Sequence, residues 1–175
     1  MTAQENKAIV QQFYDEWTAG AIDFERLVHP EITNHQPDRD PDTGLETFRR
    51  AIEGVMSAVP DSTWTTLTLL AEGDFVVCHN EWSGTYRGTV FRGVPTPGER
   101  RFSVEHMHIY RVTDGRIAEH WVVRDDLAMM QQLGAVVGVF SIFEPRETRR
   151  WDDGCRCGGG ARVGCAPPRI RADAR

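Results

Sequence analysis

Long apolar runs are missing from this chain. Nothing in it approaches the roughly 20 consecutive apolar residues that a membrane-spanning helix needs. The opening Met1-Thr2-Ala3-Gln4-Glu5-Asn6-Lys7 shows no basic stretch leading into an apolar one, so no secretory leader is expected and the protein reads as cytoplasmic. Cysteine is scarce, with four in 175 residues. Three of them, Cys155, Cys157 and Cys165, lie near the end, in a spacing that lacks the separation and the fourth ligand of a zinc site, so no metal is expected. Cys78 stands alone in a strand-like run and reads as a small buried apolar residue. Internal repeats are absent. Positive charge is short in the body: residues 1–143 hold 12 Lys+Arg against 21 Asp+Glu, a net of −9, and residues 144–175 hold 8 Arg and 5 acids, a net of +3, which gives −6 overall. An acidic body excludes nucleic acid as the main partner, because phosphate contacts dominate that affinity.

What is present suits one domain with its own core, 40% of the residues being apolar. Residues 3–19 read as an amphipathic helix carrying Ile9, Val10, Phe13, Tyr14 and Trp17 at helical spacing, opened by a Thr2/Glu5 capping box and stopped by Gly20. A short helix follows from Asp23 and ends at Pro30. Ile32 to His35 is a brief extended piece, and a third helix runs from about Thr43 to Ala58. The pattern then turns to strands: Thr63–Ala71, Phe75–Tyr86, Phe102–Val112 and Arg116–Val123, with a Gly/Pro-rich loop between Gly88 and Arg101. Asp126 to Gln132 closes the domain as a helix. Helices first and antiparallel strands after them give an α+β domain over residues 1–143: a curved antiparallel sheet wrapped around N-terminal helices, a cone with one pocket. Residues 144–175 show no periodicity and too little apolar content to repay ordering, so they read as a disordered Arg/Gly/Cys-rich tail.

Chemistry concentrates in one hairpin. Thr113-Asp114-Gly115-Arg116 between two apolar runs marks a tight antiparallel turn. Counting outward from it sets Val112 opposite Ile117, Tyr110 opposite Glu119, His108 opposite Trp121 and His106 opposite Val123, with Asp125 continuing the same face. His106, His108, Tyr110, Glu119, Trp121 and Asp125 would then share a pocket lining. Met107, Ile109, Val122 and His120 would lie outside, where an apolar face suits pairing into a dimer or tetramer.

Several short motifs occur in order: Asn34-His35-Gln36-Pro37, Glu72-Gly73-Asp74, Gly84-Thr85-Tyr86-Arg87-Gly88, Gly93-Val94-Pro95, Tyr110-Arg111-Val112 through Gly115-Arg116-Ile117, Glu119-His120-Trp121 and Gln132-Leu133-Gly134. Together, over residues 5–135, they resemble the SnoaL-like polyketide cyclase family, within the wider nuclear transport factor 2-like, or cystatin-like, cone fold. The resemblance implies ring closure by intramolecular aldol condensation without metal or organic cofactor. It implies an acid/base aspartate at Asp125, four residues beyond Trp121, a pocket histidine at His108, and a role for His35 in its Asn-His-x-Pro motif. Pro95-Thr96-Pro97-Gly98 departs from the family's Pro-Thr-Gly loop, and Gly-Thr-Tyr stands for the commoner Gly-Thr-His.

On these residues the expected substrate is a small apolar carbonyl compound. Asp125 and His108 would be catalytic. His35, His106, Tyr14, Trp17, Trp121 and Glu119 would contact the substrate, and Asp126 would cap the last helix. Two other readings stand beside this one. The first is an epoxide hydrolase or isomerase on the same cone, although an Asp-Arg-Asp arrangement would need Arg124 to face Asp125's pocket, and neighbouring strand residues face opposite ways. The second is a non-catalytic ligand-binding or dimerisation module.

Overall fold

The structure is a computed structural model that describes residues 1–36 and 40–136. The 144–175 tail reading and three of the cysteines fall outside the described residues. Helix α1 (Ala3–Thr18) begins on the expected capping box: Thr2 Oγ1 accepts from Glu5 N–H (3.2 Å), and Glu5 Oε2 accepts from Thr2 N–H (2.7 Å). Its buried stripe is Asn6, Val10, Phe13, Tyr14 and Trp17. Helix α2 (Phe24–Leu27) is one turn capped by Asp23, and β1 (Val28–His35) begins at once, before Pro30 instead of after it. After a two-residue β2 (Asp42–Thr43), α3 (Leu45–Ala58) buries Phe48 and Ile52. Strands β3 (Thr63–Glu72), β4 (Phe75–Tyr86), β7 (Arg100–Thr113) and β8 (Arg116–Arg124) form the long sheet. The small hairpin β5–β6 (Val90–Phe91, Val94–Pro95) projects from the 88–99 loop, and α4 (Asp126–Gln132) follows β8.

The sheet order is β2-β1-β8-β7-β4-β3. All neighbours run antiparallel except β1 and β8, which are parallel. The fold is therefore α+β with a curved, antiparallel-rich sheet around N-terminal helices. Inward-facing residues alternate strictly along β4 and β7, from Val76 to Tyr86 and from Phe102 to Val112. Helix α1 packs across this face: Phe13 and Tyr14 meet Tyr110 edge-on, and Tyr14 and Trp17 lie against Trp64. Helix α3 brings Phe48 against His120 at the other side.

The Gly84–Gly88 motif has a packing reason. A Cβ on Gly84 would sit 2.4 Å from Val59 Cγ1, at the end of α3. Next to it Asp61 accepts from Thr85 N–H and from the Thr85 hydroxyl, and Arg87 N–H donates to Ala58 O. The motif is the weld between β4 and α3, which walls the cavity. Gly84→Ala is expected to lower the unfolding free energy by about 1–3 kcal/mol, the usual cost of overpacking, read by urea denaturation.

Candidate active site

A bulge decides which hairpin residues meet. The turn itself is as expected, with φ of 50° at Asp114 and 74° at Gly115, and Val112 lies opposite Ile117. The register then shifts, so that Arg111, not Tyr110, pairs with Glu119. Ala118 is the extra residue, and every later side chain of β8 changes face. Tyr110 thus stands opposite His120, His108 opposite Val122, and His106 opposite Arg124. The expected pairings of Glu119, Trp121 and Val123 are corrected accordingly.

Glu119 and Trp121 lie on the outer face. Glu119 holds Arg111 (2.7 Å) and His35 (3.0 Å), and Trp121 stacks on His35 with ring centres 4.5 Å apart. His35 is outside because β1 runs beside β8 with Asn34 level with His120 and His35 level with Trp121. Three residues expected in the pocket are therefore one external cluster. Conversely His120, Val122 and Arg124, expected outside, line the cavity, so Val122 does not belong to the outer apolar face with Met107 and Ile109.

The cavity measures about 390 Å³. Its apolar walls come from Phe13 and Trp17 of α1, Phe48, Ile52 and Val55 of α3, Trp64 and Trp82 of the sheet, and Phe91 of the 88–99 loop. The polar lining is Asn34, Gln36, His106, His108, Tyr110 and His120, with Arg92, Arg124 and Asp126 at the more exposed end. Tyr14 is buried but is not part of the lining. Its hydroxyl lies 2.6 Å from that of Tyr110, so its expected contact with substrate is corrected to a support of the wall. Burial pushes both phenols well above their ordinary range, and raises the Cys78 thiol to about 11.

A chain of contacts crosses the polar lining. Arg124 Nη1 is 2.7 Å from Gln36 Oε1, Gln36 Nε2 is 3.1 Å from Asn34 Oδ1, Asn34 Oδ1 is 2.8 Å from His120 Nδ1, and His120 Nε2 is 2.9 Å from His108 Nδ1. His108 Nε2 and both nitrogens of His106 are buried without a hydrogen-bond partner among the described residues. Desolvation holds all three imidazoles neutral: His106 is lowered to about 4 and His120 to about 3, while His108 lies well below the usual imidazole range, helped by the neighbouring His120, His106 and Arg124.

The two aspartates exchange their expected places. Asp125 is the N-cap of α4, its Oδ1 accepting from Ala128 N–H (2.9 Å). Asp126, expected as the cap, lines the cavity and faces Arg92 Nε (3.1 Å) and Arg124 Nε (3.5 Å). Arg124 is on the inner face of β8, and the helix starts right after it, so the next carboxylate to turn inward is Asp126. Asp125 remains close enough for its charge to raise His106 slightly against the larger effect of burial. Among the described residues, no three His, Cys, Asp or Glu side chains group as metal ligands, and no helix is long and apolar enough to cross a membrane.

Asn34 and Gln36 carried a readable signal. Ile32 is a core residue, and strand alternation from it sends Asn34 and Gln36 inward and His35 outward. His120 also had one: Ile117 and Val122 are both apolar and an odd number of residues apart, so both can face the core only across a bulge.

Residues 8–133 match the family model described as SnoaL-like polyketide cyclase. The nogalonic acid methyl ester cyclase of Streptomyces nogalater is 27% identical over 119 residues, which are 67% of this chain and 87% of that protein. Among solved structures, TsrD from Streptomyces laurentii superposes with a TM-score of 0.66 at 32% identity, covering 78% of this chain and 99% of that one. IdmH from Streptomyces antibioticus gives a TM-score of 0.62 at 29% identity over 74% of this chain and 98% of that one.

Proposed function

The chain belongs to the SnoaL-like polyketide cyclase family, and we propose that it is a cyclase, closing a ring in a small, flat polycarbonyl compound by intramolecular aldol addition. The carrying observation is a largely apolar, aromatic-rich cavity of about 390 Å³ that holds two buried, neutral imidazoles with unpartnered ring nitrogens. A buried polar atom without a partner costs roughly 1–3 kcal/mol, so such atoms mark where a ligand supplies the missing contact.

The chemistry needs a carbon acid deprotonated, an enolate held, and an alkoxide protonated. A carbon between two carbonyls is acidic enough for a neutral imidazole to serve as base. His108 Nε2 takes the proton, and the carbon–hydrogen electron pair becomes an enolate. A neutral His106 N–H donates to the enolate oxygen, as a preorganised donor should in a dry site. The enolate carbon attacks the second carbonyl of the same molecule, forming the new carbon–carbon bond. The resulting alkoxide takes back a proton from the His108 imidazolium. Substrate and product are isomers, and every proton is returned. Imidazolium and enolate form an ion pair in a low-dielectric cavity, which offsets the weak basicity that burial gives His108. Trp17, Trp64 and Trp82 offer flat faces that hold the chain folded on itself, supplying the orientation advantage of an intramolecular reaction.

Asp126, gripped by Arg92 and Arg124, anchors the polar end of the substrate. Epoxide opening would need two carboxylates around one arginine. Here one carboxylate sits between two arginines, which disfavours that reading. Tyr110 and Glu119 lie on opposite faces, so they do not make the oxyanion pair of an isomerase.

The test is incubation with an ester bearing two 1,3-dicarbonyl units in deuterated water. The expected product has the mass of the substrate plus exchanged deuterium, with a new ring. Binding without closure or exchange would leave the ligand-binding module in its place. Asp125→Asn, a good cap itself, is expected to keep turnover within about threefold, and Asp126→Asn to raise KM more than it lowers kcat.

A further inference from the structure

We propose that Arg124, Gln36, Asn34 and His120 are positioning residues that fix which nitrogen of His108 carries its proton. The argument needs the donor inventory of each group and the neutrality of the two buried rings. A guanidinium can only donate, so the Gln36 atom 2.7 Å from Arg124 Nη1 is its carbonyl oxygen. That turns the Gln36 amide nitrogen toward Asn34, so the atom it meets at 3.1 Å is the Asn34 oxygen. An amide oxygen can only accept. His120 Nδ1, 2.8 Å from it, must therefore carry a hydrogen. His120 is neutral, so its Nε2 is a bare lone pair. His108 Nδ1, 2.9 Å away, must donate to that lone pair, and neutral His108 is left with its own lone pair on Nε2. One cation at the cavity's exposed end thus sets the sense of four successive hydrogen bonds. The last nitrogen in the line is buried and unpartnered, ready to accept.

Free imidazoles favour the opposite form, with hydrogen on Nε2. The chain imposes the less common tautomer on two adjacent rings. A histidine in the common form would present an N–H to the substrate and could not take a proton from carbon. The catalytic consequence rests on the ring-closure reading above, but the tautomer itself does not.

The experiment is long-range proton–nitrogen correlation spectroscopy on the whole protein with 15N-labelled histidine, at pH 7. The wild type is expected to show Nδ1–H and bare Nε2 at both His108 and His120. Asn34→Asp keeps an acceptor and is expected to keep both tautomers. Asn34→Leu removes it. Without it either arrangement leaves one N–H unpartnered, so the intrinsic preference for hydrogen on Nε2 decides, and both rings are expected to invert and His108 to carry its hydrogen on Nε2. In the same variant kcat is expected to fall roughly 100-fold with KM changed less than about threefold, and Asn34→Asp to recover most of it. Hydrogen on His108 Nε2 in the wild type, or an unchanged His108 in a folded Asn34→Leu, would overturn the proposal. If Asn34→Leu does not fold, the wild-type and Asn34→Asp spectra decide alone. Spectra as expected with no ring closure would sink the cyclase reading and leave this one standing.

Discussion

Between about pH 6.5 and pH 4.5 the unfolding free energy is expected to fall by roughly 4 kcal/mol from His106 and His120, about 2 kcal/mol each, with His108 adding to the fall in the same direction. All three have folded values below the ordinary 6.5, because burial penalises the charged ring: about 4 for His106, about 3 for His120, and well below 6.5 for His108. In the unfolded chain each takes a proton as the pH drops through 6.5, while the folded chain takes none until the pH nears the lowered values. The unfolded state therefore binds more protons throughout the window, and stability falls with falling pH. The contribution is fully present above 6.5. Glu5 and Asp61, held by hydrogen bonds below their ordinary 4.5 and 3.8, lose stability on acidification with the same sign, but mainly below this window, where their unfolded forms take protons. Since a domain of this size is stable by only about 5–15 kcal/mol, it should approach its unfolding midpoint near the lower end of the window. Urea titrations followed by the fluorescence of buried Trp17, Trp64 and Trp82 would measure the slope. His106→Gln should remove its share of about 2 kcal/mol from the fall. A stability that does not change between pH 6.5 and 5 would show that these rings are not buried neutral.

His108→Gln is expected to lower turnover by about 100- to 10,000-fold, the usual worth of a positioned acid/base group. Gln fills a similar volume and can donate or accept, but it cannot carry the carbon-derived proton. Folding should survive, and substrate exchange with deuterated water should be lost along with ring closure. His106→Gln should cost less, since a side-chain amide N–H can still reach the enolate oxygen. In the wild type kcat/KM should stay level as the pH falls from 8 through 6.5, where an ordinary imidazole would titrate, because burial holds both rings neutral there. Loss of exchange in Asp125→Asn with His108→Gln still active would move the base to the carboxylate that caps α4.

Some of this site could be read from residue order. The helical stripe of Phe13, Tyr14 and Trp17, the Thr2/Glu5 cap and the Asp114-Gly115 turn are local features, and each depends on neighbours within a few positions. His106 and His108 followed from alternation along β7, which runs unbroken for its inward residues. Trp17 reached the cavity lining for the same local reason.

What lies across strands was not legible in the same way. Counting from the turn placed Glu119 and Trp121 inside and His120 outside, and one extra residue at Ala118 reversed all three. His35 carried a motif, yet the parallel pairing of β1 with β8 turned it to the outer face and brought Asn34 to His120. Asp125 and Asp126 are chemically alike, and only the point where β8 stops and α4 begins selects which one caps.

The amino-acid order by itself determined the α+β class, the family, the turn and the two β7 histidines, because helix stripes, caps and strand alternation are properties of a single stretch of chain. Tertiary structure alone decided the partners of those histidines. A shift of one residue in register flips every side chain to the other face, and that register is set by the Ala118 bulge between β7 and β8 and by the pairing of β1 with β8, whose Asn34 and His120 are 86 residues apart in the chain.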